Sequence, residues 1–292
     1  MTSRKPLARA AAEFAADRIA LAGFALLALL LLAALLAPWI SPQNPYDLAQ
    51  LDLLDSRLAP GARSAAGGIY WLGTDDQGRD MLSAILYGLR TSVAVGLVST
   101  VFALAIGVSL GLAAAWFGGW FDALVMRLAD LQLSFPSILI ALVLLAVLGQ
   151  GLDKIVAALV AVQWAYYARI ARAAALVERT KEYIDAAVAL AFSNTRIIFR
   201  HLLPNCLPPL IVLAAVQVAA AITLEATLSF LGLGLPITEP SLGLLISSGF
   251  NYLLSGHYWI SFFPGIALLA AVVSINLVAD RLHDVLDPHE RR

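Results

Sequence analysis

The chain has 292 residues, of which 61% are hydrophobic and 13% charged, against roughly 25% charged in an ordinary soluble domain. So few charges exclude a soluble protein of this length, and a formal net charge of −1 excludes bulk attraction to nucleic acid. The single cysteine, Cys206, excludes an internal disulfide and a cysteine-built metal site, so organisation is counted in membrane spans of ~20 residues rather than in globular domains.

A basic stretch with Arg4, Lys5, Arg9 and Arg18 precedes the first apolar run, Ile19 to Ile40. A cleaved signal peptide would have a shorter apolar core followed by a small-x-small cleavage site, whereas this run continues to Pro38-Trp39. It is predicted to be an uncleaved first span, residues 19–40, after a cytoplasmic tail of residues 1–18. Residues 41–90 then lie outside, opening with Pro42 and Pro45. Within them Thr74 is a candidate helix cap, with Gln77 at the third helical position and Asp75 and Asp76 at the positive end of the helix dipole. Met81, Leu82, Ile85, Leu86 and Leu89 repeat at helical spacing, giving an amphipathic helix that either packs into the protein or lies along the membrane before span 2.

Five further apolar runs follow: Val93 to Phe117, Leu131 to Leu148, Ile155 to Ile170, Leu207 to Leu235, and Tyr258 to Ala279. The predicted fold is an all-α polytopic membrane protein of six transmembrane helices, with residues 91–280 as a five-helix core and 281–292 as a second cytoplasmic tail. Six spans put both termini on one side. Lys and Arg near span ends are retained in the cytoplasm, and 14 of the 19 basic residues fall in the segments this topology places there. Both termini are therefore expected in the cytoplasm, with lipid around the spans.

Several side chains stand out against this apolar background. Ala103, Gly107, Gly111 and Ala115 form a small-residue stripe at spacing four in span 2, a face that lets another helix approach closely. Arg127 and Asp130, three apart at the inner end of span 3 and near Asp122, read as a helical ion pair. Glu225 sits in span 5, where an ionised side chain facing lipid costs at least ~2.5–3.5 kcal/mol. It must face protein or water, as a pore or interface carboxylate for a substrate amine or cation, or as a polar anchor between helices. His201, His257, His283 and His289 are scattered over both sides, so no metal site is predicted.

The long segment 178–205 is predicted to be a cytoplasmic helix-turn-helix. Ile184, Ala187, Val188, Ala191 and Phe192 make one apolar stripe, and Ser193 or Asn194 caps a second short helix that stops near Pro204. An apolar stripe amid charges needs a surface to cover it, either the chain's own membrane domain or a separate protein.

This loop resembles the EAA loop of binding-protein-dependent ABC importer permeases, whose pattern of Glu-Ala-Ala, three residues, Gly, nine residues and Ile-x-Leu-Pro falls on Asp185-Ala186-Ala187, Ala191 and Leu203-Pro204. Three more stretches extend the resemblance: Leu72-Gly-Thr-Asp-Asp-Gln-Gly-Arg-Asp80, Phe117-Gly-Gly-Trp-Phe-Asp122 with Met126 to Pro136, and Glu225-Ala-Thr-Leu-Ser-Phe-Leu-Gly-Leu-Gly-Leu-Pro236. Together with Asp280 to Pro288 they make nearly the whole chain similar to the C-type permease subunit of dipeptide, oligopeptide and nickel importers. The resemblance implies a type I ABC importer permease in the bacterial inner membrane, forming half of a pore. The implied partners are a homologous second permease, two cytoplasmic ATPases and an extracytoplasmic substrate-binding protein. ATP and Mg would be used by the ATPases, and no cofactor is expected on this chain, which lacks a G-x-x-x-x-G-K-[ST] loop. The implied ATPase-coupling residues are Asp185, Ala186, Ala187, Ala191, Leu203 and Pro204. Asp185 stands where the family has Glu, and Ala191 where it has Gly at a bend that disfavours an L side chain; His201 occupies the Ile position. No catalytic residue is expected. The competing readings are a proton-coupled secondary transporter using Glu225, which calls for broken helices and inverted repeats, and a membrane enzyme, which calls for a cluster of reactive groups; neither pattern is visible.

Overall fold

The computed structural model describes residues 13–47, 51–64, 67–236 and 238–286. Arg4, Lys5, Arg9, Arg291, Arg292 and His289 lie outside the described residues. The described chain is mostly helical. Four helices are long and apolar enough to cross a membrane, and a fifth span results if one sharply bent pair is counted as a unit.

Helix α1, Arg18–Ile40, starts where the Asp17 carboxylate accepts the Ile19 amide at 2.8 Å. It buries only small residues, Ala20, Gly23, Ala34 and Ala37, because its neighbour lies so close that a Cβ on Gly23 would sit 2.8 Å from Leu277 Cβ. Leu29, Leu35 and Trp39 point away from the protein.

The segment between α1 and the next long helix folds into a cap. Strands β1, Ala62–Arg63, and β2, Ile69–Tyr70, pair antiparallel. The buried Asp55 carboxylate accepts from Ser64 Oγ at 2.7 Å and from the Tyr70 hydroxyl at 2.9 Å. Asp75 accepts the Gln77 and Arg79 amides, each at 2.9 Å, and pairs with Arg79 Nε at 2.6 Å, both side chains almost fully buried. Thr74 therefore does not cap a helix as its sequence context suggests. Its hydroxyl donates to the Asp55 carbonyl at 2.5 Å, and Asp75 and Asp76 lie in a turn rather than in a first helical turn. The N-cap is Asp80, which accepts from the Ser83 amide at 2.8 Å.

From that cap runs α2, Met81–Phe117, one unbroken helix of 37 residues. The predicted amphipathic helix and span 2 are thus a single element. Met81, Ile85 and Leu89 are buried against later helices rather than laid along a membrane surface, the packing alternative of the two. The predicted span 131–148 is interrupted: α3, Gly119–Leu133, and α4, Ser137–Leu148, meet at 93°. Pro136 sits at the break, where its ring disfavours helical backbone at Phe135.

Helix α5, Leu152–Arg179, continues nine residues beyond the predicted end at Ile170. It is followed by α6, Glu182–Ala189, α7, Asn194–Ile197, and a π-helical turn, Ile198–Leu202. Then come α8, Leu203–Phe230, the short α9, Leu242–Phe250, and α10, Trp259–Leu286. Two apolar clusters sit at opposite ends of the bundle. One joins α1, α2, α9 and α10 beneath the cap, where Trp259 Nε1 donates to the Thr74 carbonyl at 3.1 Å; the other joins α2, α5, α6 and α8.

Candidate functional site

At the end away from the cap, α6 and α7 form the helix-turn-helix expected from the sequence. The turn is a Schellman motif: the Phe192 amide donates to the Ala187 carbonyl at 3.2 Å and the Ala191 amide to the Val188 carbonyl at 2.9 Å. Ala191 takes the left-handed conformation, φ +54°, that the motif demands at this position and that usually selects glycine. The bend thus forms on an alanine, whose side chain carries the strain of the left-handed backbone. Ser193 caps α7, its hydroxyl accepting the Arg196 amide at 3.4 Å.

The α6 surface divides into two faces. Ile184 and Ala187 are buried against α2, α5 and α8. Asp185, Ala186 and Ala191 are exposed, as are Val188 at 53% and Leu190 at 67%. The predicted stripe is therefore split: Ile184, Ala187 and part of Phe192 are covered by this chain, whereas Val188 and Ala191 face outward. Of the remaining loop residues, Leu203 is half-buried and Pro204 exposed at the start of α8.

The junction between α5 and α6 holds a cluster that sequence reading missed. Lys181 pairs with the Glu178 carboxylate, and the Tyr183 hydroxyl donates to it at 2.6 Å. Burial works against the Glu178 charge, but Lys181 and Tyr183 outweigh it and hold the carboxyl below its ordinary range. Behind this junction Arg179 donates to the Ala115 carbonyl at 2.8 Å and lies over the Trp116 ring at 5.4 Å, fastening the base of the loop to the end of α2.

Arg127 does not pair with Asp130. Asp130 is taken by Arg169 of α5, and Asp122 receives Arg172, with Nη2 to Oδ2 at 2.6 Å. Arg127 is exposed on α3. A pair within one helix yields to pairs between helices because α5 extends past the apolar core and carries two guanidiniums to α3. Arg169 and Arg172 on an otherwise apolar run, with two carboxylates on the neighbouring predicted segment, were the available signal.

The small-residue stripe faces α5 of the same chain. A Cβ on Gly107 would sit 2.3 Å from the Trp164 carbonyl oxygen, and one on Gly111 2.3 Å from that of Ala168; Ala103 and Ala115 are buried along the same seam. Glu225 is wholly buried near the opposite end. Ser92 of α2 donates to Oε2 at 2.7 Å and Ser229 to Oε1 at 2.8 Å, with Ser241, the N-cap of α9, beside it. Both carboxylate oxygens are engaged within the protein, so the carboxylate ties α2 to α8 next to the α9 terminus. Among the described residues no group of three or more His, Cys, Asp or Glu side chains is placed to hold a metal ion.

Residues 103–292 match the family model described as "Binding-protein-dependent transport system inner membrane component", and residues 5–60 match "N-terminal TM domain of oligopeptide transport permease C". A putative peptide transport system permease protein of Brucella suis is 42% identical over 91% of this chain and 86% of its own length. The di/tripeptide transport system permease protein DppC of Pseudomonas aeruginosa is 37% identical over 94% of this chain and 90% of its own length. A chain of the inward-facing MetNI methionine ABC transporter superposes with a TM-score of 0.56 at 22% identity, covering 71% of this chain and 98% of that one, a likeness of fold. This multi-pass membrane chain belongs to the family of binding-protein-dependent transport system inner membrane components.

Proposed function

We propose that the chain is one of two homologous permease subunits of an ATP-driven peptide importer in the bacterial inner membrane. In this reading it lines half of the translocation pore and docks cytoplasmic ATPases through the α6–α7 loop. The substrate class rests on the relatives, whose names refer to peptides and di/tripeptides. The docking site rests on the two-faced surface of α6: Ile184 and Ala187 anchor the helix to the bundle while Asp185, Ala186, Val188 and Leu190 are left uncovered. Exposed apolar groups ringed by charge mark a contact surface. The small Ala186 side chain lets another backbone approach, and Asp185 supplies a polar contact at its centre.

Counting the bent α3–α4 pair and α5 as spans gives six, with both termini in the cytoplasm, the orientation supported by the distribution of Lys and Arg. An extracytoplasmic binding protein would deliver substrate on the side of the 41–80 cap. ATP and Mg would be held by the ATPases, whose closure would move the loop and tilt the spans in alternating access. The fastening of Arg179 to α2 offers the path by which that movement enters the membrane. A proton carrier at Glu225 finds no support in a carboxylate sealed from water by two serine hydroxyls.

The test is co-purification with the candidate ATPases and second permease, and substrate-stimulated ATP hydrolysis after reconstitution. Ala186→Arg is expected to release the ATPases and leave the membrane domain folded. Unchanged co-purification would place docking elsewhere. Uptake that survives ATP depletion and is abolished by a protonophore would replace the importer reading with proton coupling.

A further inference from the structure

A groove of about 650 Å³ lies between the second half of α2 and the start of α8, within the ~300–1,000 Å³ range of small-molecule sites. Val108 and Leu112 line its floor, and Val101, Phe199 and Ile211 line its mouth, where they are 60%, 58% and 46% exposed. Its polarity is uneven. The walls are aliphatic and aromatic apart from the exposed Ser109 of α2, whereas Asn194 and Thr195 line the end formed by α7. Two cations neighbour the lining residues in the chain, outside the lining itself. Arg196 is exposed and held over the Phe192 ring at 3.9 Å, and Arg200, next to the lining residue Phe199, is also exposed. Neither forms an ion pair among the described residues, in contrast to Arg169 and Arg172 nearby in the chain.

We infer that this groove binds one anionic phospholipid of the inner leaflet, its acyl chain along α2 and α8 and its phosphate at Arg196 and Arg200. Two observations select this occupant. A largely apolar trough whose α7 end carries Asn194 and Thr195, with two arginines next to the lining residues in the chain, matches the polarity of a phospholipid, and basic pockets between membrane helices on the cytoplasmic side are suited to acidic headgroups. The site also adjoins the coupling loop: Asn194, Thr195 and Ile198 line the groove and immediately follow the Ala191 turn. A bound lipid would brace α7 against α2 and so favour one position of the docking surface. The leaflet rests on the orientation proposed above.

The experiment uses the purified transporter with its second permease and ATPases, titrated with phosphatidylglycerol or phosphatidylcholine and read by native mass spectrometry. The expected result is one retained phosphatidylglycerol assignable to this groove. Arg196→Ala with Arg200→Ala should weaken its retention about thirty-fold and leave phosphatidylcholine unaffected. Ala105→Trp, at an exposed lining position, should abolish retention by filling the trough, and co-purification of the ATPases shows that each variant is assembled. Equal retention of both lipids, or phosphatidylglycerol retention unchanged in Ala105→Trp, would overturn the site. So would an Ala105→Cys cross-link to the second permease, which would show the groove covered by protein. Labelling of Arg200→Cys by an impermeant thiol reagent from the cytoplasmic side is expected; labelling from outside would overturn the orientation and with it the leaflet, a failure separable from loss of lipid selectivity.

Discussion

Replacing Gly107 by alanine tests the α2–α5 seam, because the two contributions to its stability have opposite signs. In an open helix the change would stabilise by about 1 kcal/mol through helix propensity. Here the new Cβ would lie 2.3 Å from the Trp164 carbonyl oxygen and 2.6 Å from Tyr167 Cβ, and a backbone carbonyl cannot rotate aside as a side chain can. Ordinary contact requires the helices to part by about 1 Å, and overpacking of a dense core costs about 1–3 kcal/mol. The upper end applies to a clash with backbone, so the net expectation is a loss of about 2 kcal/mol. Gly107→Ala combined with Gly111→Ala should cost less than the sum of the single changes, since one displacement of α5 relieves both clashes. Thermal unfolding of the purified membrane protein measures this, with Ala105→Val as a control on an exposed face of α2. A Gly107→Ala protein as stable as the parent, or more stable, would refute a seam closed backbone to backbone.

Ala191→Gly should relieve left-handed strain of about 1–2 kcal/mol, partly offset by the greater freedom of glycine in the unfolded chain. Slower hydrogen exchange at the Ala191 and Phe192 amides would show it, and faster exchange would count against the turn. Burial, followed by the neighbouring Asp75 charge, raises the Asp76 carboxyl above its ordinary value. The folded cap therefore holds that proton more tightly than the unfolded chain does. Asp76→Asn should stabilise the cap at neutral pH, and its advantage should shrink as pH falls through the raised value and Asp76 takes up a proton; a constant advantage at all pH values would contradict the assignment. Glu225→Ala should destabilise by about 1–3 kcal/mol for each serine hydroxyl left without an acceptor, whereas Glu225→Gln keeps one carbonyl and loses less. Equal loss in thermal unfolding for the two variants would show that the hydrogen bonds do not hold α2 to α8.

Much of the loop was legible from its residues. The spacing of Ile184 and Ala187 predicted the buried face of α6, and a cap at Ser193 or Asn194 was expected, of which Ser193 is the one used, because both depend on neighbours within a turn or two of helix. The split of the stripe at Val188 was not legible, since which apolar residue stays uncovered depends on where α2 and α8 run. Thr74 misled for a similar reason. Its context fits a capping box, yet the hydroxyl is claimed by the Asp55 carbonyl 19 residues away, and Asp80 caps the helix instead.

Taken alone, the amino-acid order determined that the chain lives in a membrane, which stretches are apolar enough to form its long helices, and which loop carries charge beside small residues. These follow from composition and from contacts along one helix, where backbone hydrogen bonds are satisfied locally whatever the tertiary fold. Only the tertiary structure decided that Asp130 pairs with Arg169 rather than with Arg127, that the glycine stripe meets α5 of the same chain, and that Glu225 is sealed by Ser92 across 133 residues. Glu225, buried in an apolar interior, draws a hydroxyl from another helix that its sequence neighbourhood does not reveal, and at the exposed end of α3 the reach of α5 decides which guanidinium meets Asp130.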